Sequence, residues 1–415
     1  MIVGLDIGTS NIRVAIGEID EETGKLKIAG TSSEKSSGLR NGNIVNIEAA
    51  AASIKNAIEE AEQNAGFDVH SCFSAIGGEQ IEGINSTGKV AVSTKGKSSR
   101  EISQDDIQRV RDSAQAVQIS LERQMLHVIT QDYTVDHVSG IKDPMHRLGV
   151  CLETSVHIVT ASKNTIQNIQ NCINRAGYEM NGVILKTLAS AKTVVTDDEM
   201  ELGSILIDIG AGTTDFLVLV HGAPVCTASI PIGGNLVTND IAIVEGISVA
   251  EAERIKLEAG CCWAGNVDKN ATVIINGVGG QPPREVKQSE ICDIISARIY
   301  EIFTMVLNKI LDMTNIVQLS GNIIITGGGA NLDGIIETAQ EVFQTSAVRI
   351  GYPEKLGGIE EDYEGPEWST VIGLVKFCNE QMQLYPDRKT KKILKLNKEK
   401  NKSENKFIKI LKSMF

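Results

Sequence analysis

A short motif occurs twice in this chain: a hydrophobic strand that ends in Asp-Ile-Gly, a turn of small residues, and a second hydrophobic strand. The first copy spans residues 2–16 with Asp6 before Gly8, and the second spans residues 205–220 with Asp208 before Gly210. Glycine lets backbone N–H groups approach an anion closely, and successive N–H groups in a turn form a phosphate nest. The aspartate could hold Mg²⁺ through water beside those phosphates. Two copies predict two related domains that grip one polyphosphate from both sides.

A glycine triplet follows a third hydrophobic strand. Residues 322–332 have the pattern of a strand, then Gly327, Gly328 and Gly329, then the start of a helix. Such a backbone can pack flat against a nucleoside, although a glycine triplet taken alone is more often a tight turn. The motifs are neither GxGxxG nor GxxxxGK(S/T), so Rossmann and P-loop folds are not supported. Together they resemble the nucleotide-binding signature of the actin/Hsp70/sugar-kinase superfamily.

The length of 415 residues predicts two or more domains with their own cores. Met1 leads directly into a strand pattern, which argues against a signal peptide, and no apolar run is long enough to span a bilayer as a helix. The eight cysteines show no metal-ligand spacing, and the neighbours Cys261 and Cys262 are not expected to pair. This usage predicts reduced thiols in the cytosol.

Charge is distributed unevenly along the chain. Residues 386–415 contain eleven basic and three acidic residues, a net charge of +8, whereas the whole chain carries −13 and the remainder therefore −21. The acidic body argues against a nucleic-acid partner, and the basic tail predicts an anionic one. The lysine-rich composition after Pro386 is typical of a flexible linker.

The last eleven residues, 405–415, have an amphipathic pattern. On a helical wheel at about 100° per residue, the apolar side chains fall within an arc of about 160° and the lysines within the opposite arc. The apolar set is Phe407, Ile408, Ile410, Leu411, Met414 and Phe415, and the basic set is Lys406, Lys409 and Lys412. A basic amphipathic helix after a flexible linker is typical of an interfacial membrane anchor. The alternatives are packing back onto the body, or binding a partner as a calmodulin-target-like helix.

Periodicity predicts further elements between the motifs. Residues 47–65 have the pattern of a helix, and a change of pattern from about residue 81 predicts an inserted subdomain with a helix at about 104–120. Residues 196–199 are predicted to be a polar hinge before the second Asp-Ile-Gly motif. A longer helix is predicted over residues 289–310.

The three motifs and the tail together closely resemble the FtsA family of actin-like bacterial division proteins, over nearly the whole chain. Residues 126–129, 132–133, 140–144 and 152–159 resemble that family's own inserted subdomain, and residues 238–242 and 252–256 are also family-like. The resemblance implies an α/β fold. We expect an actin-like (ribonuclease H-like) duplicated nucleotide-binding fold with an inserted subdomain and a C-terminal amphipathic helix.

In the terms of that family, we expect four subdomains, a linker and a terminal helix. Residues 1–80 and 163–197 are expected to form subdomain 1A, and residues 81–162 the inserted subdomain 1C. Subdomain 2A is expected in residues 198–235 and 318–385, and subdomain 2B in residues 236–317. Residues 386–404 are the predicted basic linker, and residues 405–415 the predicted membrane-targeting helix.

The resemblance also implies a site for ATP and Mg²⁺, with Asp6 and Asp208 holding the metal through water. The expected nucleotide-binding residues are Asp6, Gly8, Thr9, Ser10, Asn11, Asp208, Gly210, Gly212, Thr213, Thr214, Gly234, Glu253, Lys256, Gly327, Gly328 and Gly329. Glu253 and Lys256 would line the adenosine pocket, although their pattern is also that of an ordinary solvated helix face. No catalytic residue is identified.

FtsA-like proteins form filaments on the inner face of the cytoplasmic membrane, tether the C-terminal peptide of FtsZ and recruit later division proteins. The resemblance therefore implies four partners: FtsZ, further copies of this chain, an anionic membrane surface and later division proteins. Arg298 and Glu301 are the FtsZ-binding candidates, since Arg298 could pair with a peptide carboxylate, although an exposed helix arginine is usually only solvated. The expected membrane-binding residues are Phe407, Ile408, Leu411, Met414, Phe415, Lys406, Lys409 and Lys412.

Two positions depart from the expected pattern. Asn11 stands where the family often has a basic residue, which removes one phosphate contact. Lys186 stands at a strand end where MreB-like and Hsp70-like relatives commonly carry a carboxylate. Lysine cannot orient or deprotonate an attacking water as a carboxylate can, so efficient ATP hydrolysis is not expected.

Two alternative functions remain. An active ATPase or phosphotransferase of the same superfamily would need a catalytic carboxylate, and a kinase should turn over faster than about one per second. A PilM-like pilus-assembly protein would share the nucleotide motifs, but the terminal helix argues against it.

Overall fold

The structure of the protein is a computed structural model that describes residues 1–93, 98–268, 270–277, 282–314, 316 and 321–384. The predicted linker and the predicted membrane-targeting helix, with all eight membrane-binding candidates, lie outside the described residues.

The chain begins with the first Asp-Ile-Gly motif as an antiparallel hairpin. The elements up to the inserted region are β1 (Ile2–Ile7), β2 (Asn11–Ile19), β3 (Leu26–Lys35), β4 (Leu39–Arg40), β5 (Asn43–Ile44), α1 (Ile47–Ala65) and β6 (Ser71–Ile76). Helix α1 has the predicted bounds because the side chain of Asn46 caps its N-terminus by accepting from the N–H of Ala49, and Gly66 ends it at a φ of 71°. Its alanine-rich face is buried against the sheet.

The inserted region follows β6 and forms a sheet of its own. Its elements are β7 (Ile81–Ala91), β8 (Arg100–Glu101), α2 (Gln104–Gln115), β9 (Arg123–Val135), β10 (Val138–Ile141), β11 (Leu148–Gly149) and β12 (Cys151–Ser162). The sheet has the order β10-β9-β12-β7, and α2 packs on it. Helix α2 is shorter than the predicted 104–120, because Ala116 leaves the helical conformation with a ψ of 52°.

Four elements then complete the first half of the molecule: α3 (Lys163–Ala176), β13 (Glu179–Leu185), α4 (Lys186–Val194) and α5 (Asp197–Leu202). The first sheet has the order β13-β6-β1-β2-β3. The predicted polar hinge at residues 196–199 is wrong, since Thr196 caps α5 and residues 197–199 form its first turn. Thr196 and Glu199 form a capping box, in which each side chain accepts from the other residue's backbone N–H.

The second half repeats this sheet. Its elements are β14 (Ser204–Ile209), β15 (Thr214–Val220), β16 (Ala223–Ile230), α6 (Gly234–Glu245), α7 (Val249–Ala259), β17 (Thr272–Ile275), β18 (Arg284–Lys287), α8 (Gln288–Thr314), β19 (Ile323–Thr326), α9 (Ile335–Phe343), β20 (Val348–Ile350) and α10 (Ser369–Leu384). The second sheet has the order β16-β15-β14-β19-β20, in which every strand has a counterpart in the first sheet. The strand pattern is therefore duplicated, as the paired motifs predict.

Helix α10 joins the two halves after the second sheet is complete. It packs against α4 and the first sheet, and Val371 and Val375 are buried among the residues of that contact. The approach of the two helices is close: a Cβ placed on Gly373 would lie 1.9 Å from the backbone oxygen of Ala189. This packing brings the carboxyl ends of β1 and β14 toward one shared cleft.

All eight cysteines are free, and seven of them are buried. Within the described part of the chain, no helix combines the length and the apolar character that crossing a bilayer requires.

Candidate functional site

The first Asp-Ile-Gly hairpin turns between β1 and β2. The N–H of Gly8 donates to the carbonyl of Asn11 at 3.1 Å, which closes the turn. Thr9 Oγ1 accepts from the N–H of Gly42 at 2.9 Å, and Ser10 Oγ donates to Asn11 Oδ1 at 2.8 Å. The hairpin is therefore held through its own turn and through the loop between β4 and β5.

The second hairpin has the same closure between β14 and β15, with the N–H of Gly210 donating to the carbonyl of Thr213 at 2.9 Å. The carboxylate of Asp215 accepts from the N–H of Gly78 at 2.7 Å and from Thr213 Oγ1 at 3.0 Å. Because Gly78 belongs to the first half, this contact crosses the cleft and holds the two halves together.

Lys186 lies between the two motif aspartates. Its Nζ is 3.8 Å from Asp6 Oδ2 and 3.8 Å from Asp208 Oδ2, and its side chain is only 16% exposed. Burial alone would lower the pKa of Lys186, but the neighbouring carboxylates of Asp208 and Asp6 outweigh it and raise that pKa above its usual range. Burial likewise raises the pKa of Asp208. Lys186 is therefore charged at neutral pH.

The glycine triplet lies directly against the second hairpin. Gly327 has a φ of +81°, and a Cβ there would lie 2.2 Å from Asp208 Oδ1; a Cβ on Gly329 would lie 2.4 Å from Ile209 Cγ2. Gly328 has only Glu367 Cβ near the corresponding position, at 4.0 Å. Side chains are thus excluded at two of the three glycines, and the bare backbone of the triplet faces the cleft.

Glu253 and Lys256, which lie on α7, form another wall of the cleft. Lys256 Nζ lies 2.7 Å from Glu253 Oε2 and donates to Thr238 Oγ1 at 2.9 Å and to the carbonyl of Gly234 at 3.2 Å. These contacts fix the Lys256 ammonium against the N-terminal turn of α6. Neither side chain is part of a fully solvated helix face.

One cleft with a volume of about 600 Å³ contains these parts. Every expected nucleotide-binding residue lines it except Thr214, which is fully buried and donates its hydroxyl to the carbonyl of Ile232 at 2.8 Å. The geometry gives no support for a contact from Thr214. Five further lining residues were not predicted: Arg13, Gly42, Gly77, Glu367 and Thr370. Lys186 was predicted only as the replacement of a carboxylate.

The donor set of the cleft suits a hydrated Mg²⁺. Asp208 Oδ1 is buried and has no hydrogen-bond partner among the described residues, so it can accept a water or a metal. Among the described residues no three His, Cys, Asp or Glu side chains converge as metal ligands. A magnesium ion here would take one or two carboxylates and complete its coordination with waters and phosphate oxygens.

Arg298 and Glu301, the FtsZ-binding candidates, lie together on α8. Arg298 Nε is 2.6 Å from Asp240 Oδ2, Arg298 Nη2 is 3.0 Å from Asp240 Oδ1, and Glu301 contacts Arg298 Nη1. The hydrogen bond to Asp240 raises the pKa of Arg298. Arg298 is thus already paired within the protein, and a peptide carboxylate would have to compete with Asp240.

Two equivalent five-stranded sheets around one glycine-lined cleft define an actin-like protein. Known structures agree: the chain is similar to the PilM-PilN type IV pilus biogenesis complex (TM-score 0.63, 16% identity, 91% of this chain and 98% of that chain). It is also similar to MreB5 of Spiroplasma citri bound to ADP (TM-score 0.52, 15% identity, 92% of this chain and 96% of that chain). At these identities the likeness concerns the fold alone.

Sequence relatives identify the family within this class. The chain is 40% identical to the cell division protein FtsA of Borreliella burgdorferi, over 98% of this chain and 97% of that protein. It is 34% identical to FtsA of Escherichia coli K12, over 92% of this chain and 90% of that protein. The family model for cell division protein FtsA matches residues 205–373, and the model for the SHS2 domain inserted in FtsA matches residues 78–160. The chain belongs to the FtsA family of cell division proteins.

Proposed function

We propose that this protein binds ATP with Mg²⁺ in the cleft and that bound nucleotide favours a polymerising conformation. The observation that carries the proposal is the convergence of both Asp-Ile-Gly hairpins and the glycine triplet on one cleft of about 600 Å³. That volume suits a ligand of nucleotide size. The ADP in the solved MreB5 structure adds support from a protein of the same fold.

Each wall of the cleft has a distinct role in this proposal. The N–H groups and hydroxyls of the two hairpins bind the phosphates, the glycine triplet packs on the adenosine, and Glu253 with Lys256 borders it. Asp6 and Asp208 hold Mg²⁺ through water, which neutralises phosphate charge when the metal is bound. Lys186 cannot activate a water for hydrolysis. The nucleotide therefore acts mainly as a structural ligand, and less through its hydrolysis.

The second part of the proposal concerns the membrane and rests on the sequence of the tail. A single amphipathic helix gives modest, reversible binding to an anionic leaflet, strengthened by roughly 1 kcal/mol for each lysine near the surface. Copies joined in one filament attach firmly because their helices act at a high effective concentration. We place these filaments on the cytoplasmic side of the cell membrane at the division site.

The third part concerns partners. The polymer tethers FtsZ through the C-terminal peptide of FtsZ and recruits later division proteins. Arg298 and Glu301 contribute to the FtsZ site, and a peptide carboxylate replaces Asp240 as the partner of Arg298, because a guanidinium can pair with either carboxylate in the same two-point geometry.

Sedimentation with anionic liposomes, with and without ATP, tests the nucleotide and membrane parts together. We expect binding that strengthens with ATP and disappears when the chain is truncated after Leu396. Leu411→Glu places a charge on the apolar arc and should abolish binding, whereas Ser413→Glu adds the same charge to the polar arc and should weaken it only slightly. Binding that survives the truncation would remove the membrane part of the proposal.

Affinity for the FtsZ C-terminal peptide tests the third part. We expect Arg298→Ala to weaken peptide binding by at least about tenfold, which corresponds to about 1.4 kcal/mol. Arg284→Ala is the matched control, because Arg284 pairs with Glu245 at 2.7 Å in the same region of the second half. Unchanged binding by Arg298→Ala, or equal losses in the two variants, would place the FtsZ site elsewhere.

A further inference from the structure

Lys186 connects the two halves of the molecule at the phosphate end of the cleft. It is the first residue of α4, directly after β13 of the first sheet. Its ammonium is equidistant, at 3.8 Å, from Asp6 in the first hairpin and Asp208 in the second. A single cation therefore bridges the two carboxylates that the motifs place opposite each other.

The neighbouring charged groups do not replace Lys186 as the cation between the two motif aspartates. Asp215 is already engaged by the N–H of Gly78 and by Thr213. Arg13, the other cation in this part of the cleft, has its guanidinium carbon 5.6 Å from the centre of the Trp368 ring. Asp208 still has one buried oxygen without a partner among the described residues. Lys186 is thus the cation that contacts both motif aspartates.

We propose that Lys186 is a built-in counter-cation of the nucleotide site, so that ATP binding depends only weakly on Mg²⁺. The inference rests on the proposed ATP binding. An ammonium at this position is available to phosphate oxygens and offsets the repulsion between them and the two carboxylates. Without this ammonium, only the metal would offset that repulsion. Magnesium must also compete with Lys186 for the same carboxylates, which further reduces what the metal adds to affinity.

The dissociation constant for ATP, measured by titration calorimetry in excess Mg²⁺ and again in EDTA, tests this inference. We expect removal of Mg²⁺ to weaken ATP binding by the parent protein less than about fivefold, and by Lys186→Gln at least about thirtyfold. Lys186→Arg keeps the charge and should behave like the parent. Lys192→Gln is the matched control, since Lys192 lies on the same helix but pairs with Glu380 at 2.6 Å outside the cleft.

The outcomes separate this inference from the proposed function. Equal magnesium dependence in the parent and in Lys186→Gln would overturn it. So would a loss of thirtyfold or more in the parent without Mg²⁺, a result that requires no variant to fold. If the parent binds no ATP in either buffer, the proposed nucleotide function fails and the inference fails with it. Thermal unfolding of each variant checks that the protein is folded when its ATP affinity is measured.

Discussion

The two Asp-Ile-Gly hairpins have the same backbone and opposite electrostatics. In the first, Asp6 pairs across the strands with Arg13; in the second, the equivalent Asp208 pairs with Asp215. Opposite charges across a strand pair are favourable and like charges are unfavourable. The two hairpins therefore share the glycine turn, but the second has excess negative charge, which Lys186 from the first half balances.

The outer edges of the two sheets also differ. The edge strand β3 is contacted by the backbone of the segment at Gly357 and Ile359, through hydrogen bonds with Ile28, and by the side-chain amide of Asn64, which donates to the carbonyl of Thr31 at 2.9 Å. Its counterpart β16 is met by side chains of the inserted region: Asn85, Gln131 and His157 contact Val225, Pro224 and Thr227. Among these contacts between described residues, the one made by His157 depends on the protonation state of a side chain.

The largest expected effect comes from that second edge. His157 is buried, which lowers its pKa to about 4 from a usual value of 6.5. A histidine that is neutral in the fold contributes its full stability above pH 6.5, and this contribution is lost as pH falls toward 4. The loss is up to about 3 kcal/mol. The free energy of unfolding, measured in denaturant between pH 7.5 and 4.5, should therefore depend less on pH in His157→Gln than in the parent.

His146→Gln is the control for this experiment, since His146 lies in the same inserted region with an exposed side chain. His127, whose pKa burial also lowers to about 4, should supply part of the pH dependence that remains, and carboxylates with a lowered pKa, such as Glu199, contribute near the acid end of this range. If the free energy of unfolding depended on pH in His157→Gln as it does in the parent, the second sheet edge would be no more sensitive to pH than the first.

The second largest expected effect is a difference in stability between glycine-to-alanine variants of the two hairpin turns. A Cβ on Gly8 would lie 2.5 Å from the carbonyl oxygen of Asn11, whereas a Cβ on Gly210 would lie 3.1 Å from that of Thr213. We therefore expect Gly8→Ala to lower the free energy of unfolding of the nucleotide-free protein by about 2 kcal/mol, and Gly210→Ala by less than about 1 kcal/mol. Chemical denaturation of both variants provides the measurement. Equal losses would mean that the turns are equivalent despite these contacts.

The smallest expected effect has opposite signs in the two halves. Asp208→Asn removes a buried charge that faces Asp215, and should raise the free energy of unfolding of the nucleotide-free protein by about 1 kcal/mol. Asp6→Asn removes a charge that faces Arg13 and should lower it by a similar amount. Both variants should bind ATP with Mg²⁺ more weakly, which calorimetry can measure. Changes of the same sign in unfolding free energy would contradict the electrostatic difference between the hairpins.

Much of the fold was predictable because its signals are local. The bounds of α1, the duplicated hairpins and the inserted region all follow from periodicity, caps and turn residues. Helix α5 was missed although its signal is also local, since Thr196 and Glu199 have the spacing of a capping box. The boundaries of the four predicted subdomains remain predictions.

Contacts between residues that are far apart in the sequence could not be predicted from it. The sequence identified Lys186 as a departure from a carboxylate, but only the packing of the halves places its ammonium between Asp6 and Asp208. The pairing of Arg298 with Asp240, 58 positions away, was equally hidden. In both cases the partner depends on where a side chain lies after the sheets have assembled.

The duplicated hairpins, the glycine triplet and the family were all predictable from the sequence, because glycine, aspartate and strand periodicity act over a few residues. Tertiary structure alone decided which charges meet in the cleft and which edge the inserted region covers. The physical reason is that electrostatic and packing energies depend on distances in space, and these are set only when α10 and the inserted region bring the two halves together.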